Sequence, residues 1–205
     1  MNWVFAIGWI LSRFVARVVM GMKVQGLENI PPKGPVIVAV NHQSYLDPPL
    51  VGSMIRRELH FFAKKELFDI PMLSGLFRKV NAFPVRRGVY DPQSLSWVQG
   101  VLSAGKAVMI FPEGTRNDGV HFLPPKPGIG LIARKTGAPI IPAYACGLNR
   151  TMAAIFRRCR VRVLFGRPIS GREIMTFGDE KEGYRALAEL VMARIRELKE
   201  DLALS

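Results

Sequence analysis

Two short segments of this chain hold residue types that can do chemistry together. Asn41-His42-Gln43-Ser44-Tyr45-Leu46-Asp47 sets an imidazole and a carboxylate five positions apart. On one continuous helix that spacing would turn the two side chains about 140° from each other, and they would not meet. On a strand–turn–helix path the chain folds back, and Asp47 can accept a hydrogen bond from the ring of His42. Such a pair fixes the imidazole tautomer and leaves its other nitrogen basic. That nitrogen can take the proton of a substrate hydroxyl as the oxygen attacks a carbonyl, with no Ser or Cys nucleophile required. Asp47-Pro48 also reads as a helix N-cap followed by proline at the first helical position, a structural role compatible with the chemical one.

The second segment is Phe111-Pro112-Glu113-Gly114-Thr115-Arg116. Gly114 permits a tight turn. Thr115 and Arg116 can donate to a phosphate, Arg116 through its planar fork. Glu113 can accept from an acceptor hydroxyl. Arg86 and Arg87 form a vicinal pair that could bind an anion, and Lys126 leads into a helix whose N-terminus could face one. Together the segments point to acyl transfer onto a phosphate-bearing acceptor.

These residues need elements to hold them. Val36 to Val40 is an unbroken apolar run between Gly34-Pro35 and Asn41, as expected of a strand buried on both faces. Further strands are expected at 59–63, 82–85, 107–111, 139–145 and 160–165. Helices are expected at 48–57, 71–79, 91–104, 129–135 and 179–204. The alternation predicts one α/β domain with a largely parallel central sheet flanked by helices. His42 and Glu113 both fall just past strand ends, where such sheets bind ligands.

Residues 1–178 carry a net charge of +15 and residues 179–205 a net of −2. A body this basic attracts anionic lipid, an acidic carrier protein or nucleic acid. No zinc-finger spacing, basic–aromatic run or helix-turn-helix signature supports nucleic acid, which is not expected as a partner. Cys146 and Cys159 have no metal-site spacing and read as reduced thiols. Trp3 to Leu11 is almost wholly apolar and too short to span a hydrocarbon layer. Residues 2–20 read as a helix lying in one leaflet, with Trp3, Phe5, Trp9 and Phe14 at the interface and Arg13 and Arg17 reaching headgroups. The expected division is an interfacial anchoring helix at 1–22 and an α/β domain at 23–205, on the cytoplasmic face of a membrane. The alternative for the helix is packing on the protein's own core.

The motifs resemble those of the lysophospholipid/glycerolipid acyltransferase family, typified by 1-acylglycerol-3-phosphate acyltransferases. Asn41-His42-x-Ser44-x-x-Asp47 is similar to the family's first motif and Phe111 to Arg116 to its third. Pro139-Ile140-Ile141-Pro142 is similar to its fourth. Lys65-Glu66-Leu67, Lys126 with Gly128, and Phe165-Gly166-x-Pro168-Ile169 also fit, so the likeness runs from about Val24 to Ile169. The second motif departs from the pattern. Arg86 stands where the family often has an acid, Arg87 matches the family arginine, and Asn81 replaces a glycine.

The resemblance implies that His42 is the general base and that Asp47 orients it. It implies that Arg87, Thr115 and Arg116 hold the phosphate of lysophosphatidic acid or a related acceptor, with Glu113 on its glycerol portion. The acyl donor would be a thioester, acyl-CoA or acyl carrier protein, with no further cofactor and no metal. Glycerol 3-phosphate or another lysolipid remains open as acceptor. Two competing readings are a non-catalytic module for anionic membranes and a thioesterase; the latter lacks a G-x-S-x-G elbow.

Overall fold

The computed structural model describes residues 3–86 and 91–204. The elements run α1 (Trp3–Phe14), a π-turn (Val15–Val19), β1 (Lys23–Gln25), β2 (Val36–Val40), α2 (Asp47–Gly52), β3 (Leu59–Lys64), α3 (Pro71–Lys79) and β4 (Ala82–Val85). They continue with α4 (Pro92–Ser103), β5 (Ala107–Ile110), α5 (Gly128–Thr136), β6 (Ile140–Cys146), α6 (Thr151–Ile155), β7 (Arg162–Phe165), α7 (Gly171–Met175) and α8 (Lys181–Ala203). Seven strands form one sheet in the order β1-β7-β6-β2-β5-β3-β4. All neighbours pair in parallel except β6 with β7.

Burial of β2 on both faces follows from its unbroken apolar sequence: all five residues are solvent-inaccessible. Val36, Val38 and Val40 pack with Ala16, Leu50, Met54, Leu148 and Ala154 on one face. Ile37 and Ala39 pack with α4, α5 and α8 on the other. α1, α2 and α6 therefore share one layer. Register sets Val38 beside Met109 of β5 and Ile141 of β6, so the carboxyl ends of these three strands meet at one edge.

The predicted helix over 48–57 stops at Gly52. A longer helix would need the carbonyls of Ser53 and Met54 for its own ladder. The Arg13 guanidinium takes them instead, at 3.0 and 3.4 Å, and the Trp9 indole donates to Ile55 O at 3.2 Å. The chain then turns so that Arg57 can donate to the carbonyls of Pro31, Gly34 and Gly105. The short β1, α6 and α7 carry little periodic signal, and the sequence reading does not find them.

α5 and α8 touch backbone to backbone. A Cβ built at Gly130 would lie 2.0 Å from the carbonyl oxygen of Tyr184. Gly130→Ala must therefore part the two helices. It is expected to cost about 3 kcal/mol and to lower the thermal midpoint by about 6–12 °C. Calorimetry checks this; an unchanged midpoint would show that the contact is not a close one.

Candidate active site

His42 leaves β2 at the meeting edge of the sheet and is held on every side. Its ring stacks on Phe111, with centroids 4.0 Å apart and planes at 20°. Its backbone is clamped by the turn after β5: the His42 N–H donates to Glu113 Oε1 at 3.0 Å, and the Asn117 N–H donates to His42 O at 2.8 Å. On one flank Asn41 exchanges two hydrogen bonds with Ala145 of β6, at 3.0 and 2.8 Å. On the other, Gln43 donates its side-chain amide to Ala145 O at 2.9 Å.

His42 Nδ1 lies 2.8 Å from Asp47 Oδ2. The same oxygen accepts the N–H groups of Gln43 and Ser44 at 2.6 and 2.8 Å. An oxygen already accepting two backbone donors assigns Nδ1 as the N–H of the neutral ring and leaves Nε2 as the acceptor. Asp47 is 0% exposed, and its Oδ1 finds no hydrogen-bond partner among the described residues. The carboxylate does not cap α2 as the sequence suggested. Leu46 is the N-cap, and Asp47 is the first helical residue. The three donors behind it, two of them backbone groups of the turn it closes, draw its side chain away from the helix start.

The base opens onto a cavity of about 1180 Å³ that runs from beneath α1 to the start of α8. Its lining takes Phe5, Gly8, Trp9, Pro49 and Leu59 from α1, α2 and β3, and Arg86, Ser94, Lys126, Lys181 and Tyr184 from the segments at β4, α4, α5 and α8. The apolar side chains suit a long hydrocarbon chain, and Arg86 and Lys126 suit an anion. Among the described residues no three His, Cys, Asp or Glu side chains group as a metal set.

Of the predicted site residues, the fold gathers His42, Asp47, Gly114, Lys126 and Arg86 around this cavity or directly behind it. Gly114 adopts φ +69°, and a Cβ there would lie 3.1 Å from Lys126 Cγ, so the glycine lets the lysine stem cross the turn. Arg116 stacks on Tyr45, 3.5 Å from the ring centroid, at the rim. Thr115 is exposed and does not line the cavity. Arg87 lies outside the described residues.

Glu113, expected on the glycerol portion of the acceptor, is turned towards the backbone of His42. It is buried, and its carboxylate accepts from His42 N–H, from the Asn117 amide through both oxygens, and from Leu123 N–H. No lone pair is left facing the cavity in useful geometry. Asn41, Gln43 and Asn117 are positioning residues that sequence reasoning passed over. The flanking amides of Asn41 and Gln43 were their only local sign. His121 pairs with Asp118 at 2.8 Å on an exposed loop and does not line the cavity.

α1 packs one face on the protein and leaves another exposed. Phe5 is buried, Trp9 lines the cavity and Arg13 is spent on the carbonyls of the chain after α2, so these three are not interface anchors. The opposite side exposes Trp3, Ile7, Ile10, Leu11, Phe14 and Val18, one stripe at helical spacing. Among the described residues no helix is long and apolar enough to cross a membrane.

A largely parallel sheet with a His–Asp pair at its carboxyl edge, beside a cavity lined by apolar side chains and by Arg86 and Lys126, suits an acyltransferase that handles lipid. The chain belongs to the Acyltransferase family, whose sequence profile matches residues 21–145. It is 31% identical over 183 residues to the 1-acyl-sn-glycerol-3-phosphate acyltransferase of Bacillus subtilis, covering 89% of this chain and 90% of that one. It is 32% identical to the chloroplastic BAT2 enzyme of that name from Brassica napus, of which the match spans 47%. The solved 1-acyl-sn-glycerophosphate (LPA) acyltransferase PlsC from Thermotoga maritima superposes with a TM-score of 0.73 at 27% identity, over 95% of this chain and 79% of that one.

Proposed function

We propose that this acyltransferase moves a fatty acyl group from a thioester, acyl-CoA or acyl carrier protein, to the free hydroxyl of 1-acylglycerol-3-phosphate, giving phosphatidic acid. The observation that carries the reading is the 2.8 Å His42–Asp47 contact, with His42 lining a cavity that also takes apolar residues of α1 and the cations Arg86 and Lys126. Nε2 of His42 takes the hydroxyl proton as the acceptor oxygen attacks the thioester carbonyl. The tetrahedral adduct collapses, the C–S bond breaks, and the imidazolium returns the proton to the leaving thiolate. Lys126 and Arg86 hold the acceptor phosphate, Arg116 and Arg87 add to the positive charge offered to it, and Glu113 acts by fixing the backbone of His42. The acyl chain lies along the apolar residues that α1 gives the cavity. The exposed stripe of α1 sits in one leaflet, on the cytoplasmic side, where the lysolipid resides.

Thiol release from an acyl thioester, with and without lysophosphatidic acid, tests this. Release is expected to require the acceptor. Lys126→Ala and Arg86→Ala are each expected to raise the acceptor KM about 10- to 100-fold, the worth of one charge-assisted hydrogen bond. Acceptor-independent release would identify a thioesterase. An unchanged KM in both variants would remove the phosphate assignment.

A further inference from the structure

α1 offers a membrane an apolar stripe, but its capacity to read headgroup charge is reduced, because Arg13 is turned inward onto the carbonyls of Ser53 and Met54. Charge recognition needs another source. Between Asp118 and Glu173 the chain has no acidic residue, and its arginines cluster around α6. Arg150, Arg158 and Arg160 are exposed, and among the described residues none is in an ion pair. Amid them Met152 and Phe156, one helical turn apart, are 65% and 64% exposed. Met152, on a five-residue helix, and Phe156, its C-cap, are thus left about two-thirds exposed as large apolar groups.

This segment lies at the end of α1. Arg157, held at φ +54°, donates its guanidinium to the carbonyls of Val18 and Val19. Ala16 and Met20 of the α1 extension share a core with Leu148 and Ala154 beneath α6. Phe14 and Val18 at the end of the exposed stripe and the exposed Met152 and Phe156 thus belong to neighbouring segments. Arg157 serves as the internal tie, and the other three arginines face outward.

We propose that residues 148–160 form a second membrane-contact element, in which Met152 and Phe156 enter the apolar boundary and Arg150, Arg158 and Arg160 bind anionic lipid headgroups. The proposal rests on the membrane-surface reading of α1 and extends it. The two contacts, side by side, fix how the protein sits on the leaflet. They also strengthen selectivity for negative lipid, to which the α1 segment, with Arg13 turned inward, contributes only Arg17. An acidic carrier protein could meet the same charge. The largely exposed apolar pair, next to the end of the α1 stripe, favours the bilayer.

Flotation of the full chain with vesicles of phosphatidylglycerol or phosphatidylcholine tests this, beside activity on detergent-dispersed substrate. The triple variant Arg150→Ser, Arg158→Ser, Arg160→Ser is expected to lose roughly fivefold in phosphatidylglycerol binding per arginine, with phosphatidylcholine binding unchanged. Met152→Ser with Phe156→Ser is expected to weaken binding to both lipids about tenfold. Detergent activity should stay at the native level in both, which also reports that they fold. Native flotation of both variants on phosphatidylglycerol overturns the proposal. So does native flotation with a raised KM for a carrier-protein thioester, which would make the patch a carrier dock. Flotation is read without turnover, so a failure of the acyltransfer reading leaves this result separately visible.

Discussion

His42→Ala is expected to lower kcat about 10²- to 10⁴-fold with the KM for either substrate nearly unchanged, because a general base acts on the transition state and contributes little to ground-state binding. The ring is 6% exposed and stacked on Phe111, at the mouth of a cavity already about 1180 Å³ in volume. Its loss therefore enlarges an open space and leaves no sealed void, and the thermal midpoint should move by only a few degrees. Vesicle binding should not change at all. A folded His42→Ala protein that keeps a tenth or more of native kcat would sink the assignment of the base. Loss of vesicle binding together with activity would instead make the histidine a structural residue.

Asp47→Asn is expected to have two effects that can be measured apart. Oδ2 accepts three donors at once, two from the backbone and one from the imidazole. An amide oxygen in its place accepts them more weakly, and the amide NH₂ is forced into the dry position of Oδ1, which has no partner among the described residues. The turn 43–46 and the ring orientation both loosen. Stability should fall by about 2–3 kcal/mol, and kcat by roughly 10²- to 10⁴-fold as the imidazolium formed during transfer loses its counter-charge. The kinetic loss should persist at a temperature where the variant is fully folded. Kinetic recovery on cooling, with only the midpoint shifted, would make Asp47 a turn residue and nothing more. Glu113→Gln offers the contrast. Its carboxylate holds the His42 N–H, Asn117 and Leu123, so the catalytic ring is displaced but its charge partner is untouched.

The strands that matter were legible because burial on both faces leaves an unbroken apolar run. Val36–Val40 is the example, and the expected strand at 82–85 also falls where β4 does. The α4 boundary was legible because Asp91 caps it, accepting from Gln93 N–H at 3.0 Å. Helix 48–57 was misjudged because its termination is decided by Arg13 and Trp9, some forty residues earlier in the chain. β1 escaped notice because three residues at a sheet edge carry no periodicity.

The sequence by itself determined the chemistry: a His–carboxylate pair, a glycine turn with flanking cations, an alternating α/β order, and membership of an acyltransferase family. Residue type, local spacing and the order of short blocks along the chain are enough for these, since none requires knowing which distant segments touch. Only the tertiary structure decided which cations reach the cavity, that Glu113 serves the backbone of His42, and which residues of α1 face inward. Those outcomes depend on contacts between segments 40 to 140 residues apart. Which donor claims a given buried carbonyl or carboxylate oxygen there is settled by packing, and a local pattern carries no record of it.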